Sequence, residues 1–439
     1  MSGLAKLLYE TGGKVAGSDR NLNGEYCKHL TELGVEIYDQ DGTGIEKFMA
    51  SSGLKASEFR VVKSTAVEDK VPDVITANKL GIEQIMRSDL LAELFNAKKG
   101  IAIGGTAGKT TTTGLVAWIL KYIGKEPSCA VGGIITGLDT NAFMGRGENF
   151  VIEADESDGS IVKYRPYVSL VTNISRDHKP MEELKDLFAE FFRNTAKKGF
   201  CIVCSDEPNA FSLKQICKRS VKTYAIHKKA DYKAEKVTTD GTSSKFIVKG
   251  VEFVVNMPGE HNVLNALAAI AACNCAGICL TQIADALSEF PGMKRRFEKR
   301  GEINGIKVID DFAHNPAEIE AALNAARRQS KHIYAVYQPH GFNPTNFTKN
   351  ELIEVFSKMN ADSETLYLDD IFYAGGTVDK NISSEDIANE VVKSFPNIKC
   401  LHDRNAIVKD ILSNAKEGDI ALIMGARDVN QICDMLLKQ

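Results

Sequence analysis

One stretch constrains this chain more than any other: Ile101-AIGGTAGKTTTTGLVAWIL, where an apolar run ends in paired glycines, passes through Gly108-Lys109-Thr110 and continues as an apolar segment. A strand that ends in glycines and gives way to a helix predicts a loop whose backbone N–H groups, from Gly105 through Thr106 to Thr110, converge on an anion at the helix N-terminus. Lys109 would reach the β- and γ-phosphates of a nucleotide, and Thr110 or Thr111 would ligate Mg2+. The common phosphate loop has its first glycine five residues before the Gly-Lys pair, and counting back from Gly108 lands on Ile103. The expectation is an α/β nucleotide-binding domain with a shortened loop.

One such unit accounts for only part of 439 residues. At about 150 residues per domain the length predicts roughly three domains. With 44% hydrophobic residues, 26% charged and a net charge of -4, nothing marks a nucleic-acid footprint. The ten cysteines sit mostly in apolar runs, as reduced core thiols do, and point to a cytoplasmic location. Cys201-Ile-Val-Cys204 has the CxxC spacing but reads as a strand, and no second pair completes a zinc site. No apolar run of about 18 residues and no leader pattern occurs, which argues against a membrane or secreted protein.

Three series of alternating strand and helix signals divide the chain at 1–97, 98–292 and 293–439. The first contains helices at SGLAKLLYETG, YCKHLTELG and VITANKLG and strands at KVAGSD, FRVVKSTA and IEQIM, a pattern that implies parallel βα units. The second opens with IAIGGT and continues through SCAVGGII, FVIEADES, YVSLVTNIS and GFCIVCS; Tyr232 to Met257 alternates around Asp240-Gly241 and predicts a small antiparallel appendage. The third has strands at IKVIDDF, HIYAVYQ, ETLYLDD, IKCLHD and DIALIMGA, with a helix opening at Pro316. The expected architecture is three α/β domains in series: Rossmann-like, central ATPase-type and again Rossmann-like.

Several further stretches carry chemistry. Val151-IEADES-Asp158 places Glu153, Asp155, Glu156 and Asp158 after an apolar strand, either a cation site or a solvated acidic loop. The strand VSLVTNIS leads to Asp177-His178 at the same sheet edge as Glu153. Met257-PGEHNVLNA turns into a helix bearing His261, Asn262 and Asn265, where asparagine also serves as a cap. Lys294-RRFE and Asp310-DFAHNPAE bracket a strand of the third series, and an arginine delivered from another domain can neutralise a transferring phosphate.

Taken together, GTAGKT, EADESD, the Asp177-His178 pair, PGEHNVLNA, RRF and DDFAHNP resemble, in order and over nearly the whole chain, the Mur ligase family of ATP-dependent amide ligases of cell-wall peptide synthesis. EADESD, RRF and Gln338-Pro-His340 resemble the branch that adds the first amino acid, normally L-alanine, to UDP-N-acetylmuramate. The resemblance implies ATP and Mg2+ (or Mn2+), a UDP-sugar carboxylate and an amino acid as small-molecule substrates, and a monomer or weak homodimer. It implies that Gly105, Thr106, Gly108, Lys109, Thr110 and Thr111 hold phosphate, that Thr110, Glu153 and His178 ligate the cation, and that His261 and Asn262 face adenine. Arg296 would approach the γ-phosphate, Asp311 and Asn315 would contact the nucleotide, and His314 would lie near the reacting centre. Ser18, Asp19, Ser64, Thr65, Glu156 and His340 are its substrate candidates.

Some positions depart from the family. Ala107 replaces a histidine or asparagine, Gly341 stands where the alanine-adding branch carries arginine, and Phe188 falls where other branches carry a carbamylated lysine. The first strand and its glycine loop are missing, which leads to the expectation of a start further upstream or of weak UDP-sugar binding. Two more expectations follow. Arg296 and Asp311 would need a large closure of the third domain to reach the cradle, and replacing Lys109 would abolish ligation while leaving the fold intact.

Overall fold

The computed structural model describes residues 1–65, 67–175, 180–373 and 379–439. In the first part, β1 (Ala16–Asp19), β2 (Glu36–Asp39), β3 (Val61–Lys63) and β4 (Gln84–Met86) alternate with helices at Ser2–Glu10, Glu25–Glu32, Gly44–Ser52, Pro72–Lys79 and Arg87–Asn96. The expected βα units are present, with β2 and the helices Gly44–Ser52 and Arg87–Asn96 in addition. They do not form one sheet: β1 pairs β2 and β3 pairs β4, both parallel, and among the described residues no strand joins the pairs. A cavity of about 1000 Å³ separates them, lined by Leu4, Ala16, Ile37, Val61, Val62 and Leu90 among others, so apolar side chains face one another where a strand would otherwise bridge.

The middle part is built on β5 (Lys99–Gly104), β6 (Ser128–Ile135), β7 (Thr140–Phe143), β8 (Asn149–Glu153), β9 (Val168–Val171), β10 (Phe200–Cys204), β11 (Ser220–Ala225) and β12 (Tyr232–Lys233). They lie in the order β12-β11-β10-β9-β5-β8-β6-β7, parallel except for the β6–β7 pair. The central strands are continuous apolar runs because helices cover both faces. On one face Leu115, Val116 and Ile119 of the helix Lys109–Tyr122 share a core with Val263, Leu267 and Ile270 of the helix Glu260–Cys275. On the other, Leu184, Phe188, Phe191 and Phe192 of the helix Met181–Arg193 pack beneath the sheet. Burying each such side chain contributes about 1.5–3 kcal/mol, and this is where Phe188 is spent. Because β8 and β9 flank β5 on opposite sides, the chain after β5 emerges at a switch point between their C-terminal ends, where ligands of open α/β sheets bind.

The predicted appendage is a three-stranded antiparallel sheet of β13 (Glu235–Thr239), β14 (Ser244–Val248) and β15 (Val251–Val255). Its first turn forms where Asp240 accepts the backbone N–H of Thr242 and Ser243, an acid bonding its own turn. The last part holds β16 (Glu298–Ile303), β17 (Ile306–Asp311), β18 (Ile333–Tyr337), β19 (Glu364–Leu368), β20 (Ile398–Cys400) and β21 (Ile420–Met424) in the order β16-β17-β21-β18-β19-β20. Only β16 runs antiparallel. Its charged sequence, EKRGEI, hid it as a strand and suits it to an edge.

Candidate active site

The loop after β5 is shaped by two glycines. Gly105 has φ +126°, and a Cβ there would lie 2.0 Å from Thr172 Oγ1; Gly108 has φ +78°, and a Cβ there would lie 2.4 Å from Asn265 Oδ1. The strand on the other side then staples the loop. Asn173 Oδ1 accepts from Thr106 Oγ1 at 2.7 Å and from the Ala107 N–H at 2.8 Å, while Thr172 Oγ1 donates to the Ala107 carbonyl at 2.7 Å. Gly108 caps the helix Lys109–Tyr122, so the free N–H groups of its first turn point out of the loop. The histidine or asparagine replaced by Ala107 is therefore not needed to hold this backbone.

Lys109 Nζ lies 3.0 Å from both carboxylate oxygens of Glu156 and donates to the Gly105 carbonyl. Both side chains are nearly buried. Burial alone would lower the lysine, but the charges of Glu156, Glu153 and Asp155 outweigh it and hold the ammonium above its ordinary range. Glu156 thus stands inside the phosphate cradle rather than at the large cavity of the first part.

Glu153, at the end of β8, accepts from Thr110 Oγ1 at 3.0 Å and from the Gly132 N–H at 2.7 Å. The approach needs glycine, because a Cβ on residue 132 would lie 2.8 Å from Glu153 Oε2. A carboxylate and a hydroxyl meeting at one point are the hard oxygen donors that Mg2+ prefers. His178 and Asp177 lie outside the described residues, so of the expected cation ligands the structure places Thr110 and Glu153 together.

The connection into the last part runs directly over this cradle. Thr136 N–H donates to the Gly292 carbonyl and Lys294 N–H to that of Ile134, fastening the segment to β6. Arg295 and Phe297 then take φ +58° and +52°, strained values for non-glycine residues. They are held there by Phe312 N–H on the Arg295 carbonyl at 2.8 Å and by Asp311 Oδ2, which accepts the Phe297 N–H at 2.7 Å. Between them Arg296 Nη2 donates to Thr110 Oγ1 at 3.3 Å, and Nη1 lies 3.5 Å from Glu318 Oε1. The expected large closure is accordingly not required to bring Arg296 to the cradle, because the linker is bonded across it already.

Asp311 is buried, both its oxygens accept backbone N–H groups, and burial raises its carboxyl to about 6. Asn315 caps the helix Pro316–Arg327 by accepting the Glu318 N–H at 3.0 Å. Against His314, burial acts to lower the ring, but its bond to Glu318 and that charge prevail, so it titrates above the ordinary histidine range. Burial would raise Glu318; His314 and Arg296 bring it down to about 2. His261 has an edge open to solvent, yet desolvation in the cleft and the Arg328 charge lower it to about 4, leaving a neutral ring near pH 7.

A cleft of about 230 Å³ collects Gly108, Thr111, His261, Asn262, Arg296 and Asp311. His340 sits on the far side of His314, with ring centroids 6.5 Å apart. Ser18, Asp19 and Ser64 line the large cavity of the first part; Thr65 is exposed and is not part of that lining. Asp73, also on that cavity, was not foreseen: it accepts from Ser18 Oγ at 2.6 Å and from the Gly42 N–H at 2.9 Å. Asn173 and Glu318 were missed as well. Asn173 follows an apolar strand, as switch-point residues do, whereas Glu318 carries no signal beyond an acid in a helix's first turn.

Residues 1–99 match the model of the Mur ligase family catalytic domain, 103–273 that of the Mur ligase middle domain and 295–427 that of the Mur ligase glutamate ligase domain. The chain is 38% identical over 451 residues to the UDP-N-acetylmuramate--L-alanine ligase of Geotalea daltonii, covering 100% of this chain and 95% of that protein. It is 37% identical over 450 residues to the enzyme of the same name from Geotalea uraniireducens, with the same coverage. Its fold is shared with the solved UDP-N-acetylmuramate-alanine ligase of Thermotoga maritima at a TM-score of 0.80 and 24% identity, covering 100% of this chain and 96% of that one.

Proposed function

Because the chain belongs to the Mur ligase family, we propose that it joins L-alanine to the carboxylate of UDP-N-acetylmuramate at the expense of ATP, in peptidoglycan synthesis. The observation that carries this reading is the meeting of Lys109, Arg296 and the Thr110–Glu153 pair at one helix N-terminus, drawn from separate stretches of the chain. A carboxylate is a poor electrophile. Its oxygen attacks the γ-phosphorus of ATP, the bond to the β-phosphate oxygen breaks, and an acyl phosphate and ADP result. The alanine amine then attacks the acyl carbon, phosphate departs and the amine proton is lost to leave the amide.

Both steps gather negative charge on oxygen. The first-turn N–H groups, Lys109 and Arg296 are positioned charge of the kind that stabilises such transition states. Thr110 and Glu153 would hold Mg2+, with His178 as a third ligand, and the ion would neutralise phosphate oxygens. Neutral His261 and Asn262 suit an adenine edge. Ser18, Asp19, Ser64 and Asp73 on the large cavity suit the UDP-sugar. The test is phosphate release and product formation with ATP, Mg2+ and UDP-N-acetylmuramate across the twenty amino acids. Alanine-dependent release supports the reading, and release that ignores both alanine and the UDP-sugar overturns it.

A further inference from the structure

β17 ends at the nucleotide cleft with Asp311, and Glu318 of that cleft pairs with His314, whose ring neighbours that of His340. The loop after β21 carries an arginine that the reaction described so far does not use. Arg427 is exposed, and its guanidinium lies 5.6 Å from the centroid of the Phe372 ring. The loop that bears it is anchored on both sides. Gln338 N–H donates to the Met424 carbonyl at 3.0 Å, Arg295 Nη2 donates to the Gly425 carbonyl, and Asp428 Oδ1 accepts from Gln338 Nε2 at 3.1 Å and Arg404 Nη2 at 2.9 Å. The neighbouring acid is thus committed elsewhere, and among the described residues no carboxylate forms an ion pair with Arg427.

Phe372, beneath the guanidinium, is bound to the end of β18. Its carbonyl accepts the Gly341 N–H at 3.1 Å, and its ring lies 6.1 Å from that of His340, which in turn faces His314. Gly341 itself has φ +79°, so a long side chain at that position would be strained. The cation on this ledge therefore comes from the opposite loop. A guanidinium held against an aromatic face presents a planar N–H fork that suits bidentate capture of a carboxylate.

We propose that Arg427 binds the α-carboxylate of the incoming amino acid, fixing its amine toward the His314–His340 side of the ledge. The assignment rests on the amino-acid-ligase reading above and adds the residue that recognises the amino acid. Replacing Arg427 by Ala is expected to raise KM for L-alanine by roughly 10- to 100-fold, the range for losing a charge-assisted hydrogen-bonded pair. A purely structural role could also raise KM, so the deciding readout is the ratio of kcat/KM for L-alanine over L-alaninamide. That ratio should be large in the unaltered protein and fall toward unity in Arg427→Ala, and Arg427→Lys should recover part of it. A ratio unchanged by Arg427→Ala overturns the assignment. Hydroxylamine trapping separates this from the parent reading: the unaltered protein with ATP, Mg2+ and UDP-N-acetylmuramate, without amino acid, should yield the acyl hydroxamate. No hydroxamate overturns both readings, whereas hydroxamate with unchanged discrimination overturns this one alone.

Discussion

Lys109 cannot be removed as a simple catalytic deletion, because Glu156 is buried against it. Side-chain exposure is 15% for the lysine and 3% for the glutamate, and both carboxylate oxygens lie 3.0 Å from Nζ. Lys109→Met leaves a buried carboxylate unpaired, which costs about 3–5 kcal/mol when one partner of such a pair is removed. The expectation that the fold would be untouched by losing Lys109 is therefore replaced by a stability prediction. The stranded Glu156 would have a folded pKa raised further above its ordinary 4.5, since burial already raises it with the lysine present. A carboxyl raised on folding favours the neutral form, so stability is fullest below pH 4.5 and falls as pH rises, by up to about 1.4 kcal/mol per unit, until the raised folded pKa is passed. The double variant Lys109→Met/Glu156→Gln removes the charge and should return to within about 1 kcal/mol of the parent, since a polar pair replaced by neutral groups of similar shape costs little.

Turnover should not return. Both variants lack the cation at the phosphates and should lose about 10²- to 10³-fold or more in kcat. Trp118, the single tryptophan, lies on the helix that Lys109 begins and donates to the Ala286 carbonyl at 2.9 Å, so its fluorescence follows unfolding of this part during urea titration at pH 5 and pH 8. If Lys109→Met unfolds with the parent at pH 8, or the double variant is no more stable than the single, the pair is solvated and the reasoning fails.

Glu153→Gln keeps the shape of the Thr110–Glu153 cup but removes its negative charge and one of its two carboxylate oxygens, and should raise the Mg2+ needed for half-maximal phosphate release roughly tenfold or more; an unchanged titration removes Glu153 from the cation site. Gly108→Ala places a Cβ 2.4 Å from Asn265 Oδ1 at φ +78°, so calorimetry should show ATP binding lost while Trp118 unfolding shifts far less; full ATP affinity would refute the cradle. His314 and Glu318 stabilise the fold as a pair from about pH 4.5 to 6.5: Glu318, at about 2, contributes above its ordinary 4.5, and His314, raised above 6.5, contributes until pH rises through that raised value. In Glu318→Gln, burial and Arg296 are opposed only by the bond to the Phe312 carbonyl, the smallest of the causes acting on His314, and NMR should show the ring titrating below 6.5; a pKa still above 6.5 would assign the shift to another group.

Local patterns made the strands and most helices readable. Apolar runs marked β5, β8, β9 and β21, with glycines bounding β5 and β21, and the Gly-Lys-Thr run marked the helix that follows β5, because these signals depend on residues adjacent in the chain. What stayed hidden depends on distance. The pairing of Lys109 with Glu156 joins residues 47 apart, and nothing in EADESD distinguishes the acid that faces the lysine from Asp155, which faces solvent. The bond from Arg296 to Thr110 joins residues 186 apart and depends on left-handed backbone at Arg295 and Phe297, where the sequence has no glycine to announce it. In residues 1–97 the sequence marked three of the four short strands and missed β2, and the division into two pairs around a cavity is a matter of which edges meet, on which local periodicity is silent.

Each cation of the cleft already has a carboxylate beside it: Lys109 has Glu156, Arg296 and His314 share Glu318, and Arg295 has Asp310. A polyphosphate entering such a site does not find bare charge; it exchanges with acids that have kept those cations dehydrated and in place, so little reorganisation is left for the reaction itself. Glu153 is the exception. Its contacts are a hydroxyl and a backbone N–H, both neutral, and its charge is not cancelled by any ion pair among the described residues. That charge lies beside Thr110, and a divalent cation arriving with the nucleotide would neutralise it while the displaced Glu156 remains to be stabilised. The burial of Glu156 then sets a limit on how far it can move, since an acid that leaves Lys109 without reaching solvent must take up a proton. ATP affinity should for that reason weaken less on Glu156→Gln than on Lys109→Met, because the first variant removes a competitor for the lysine and the second removes the lysine itself.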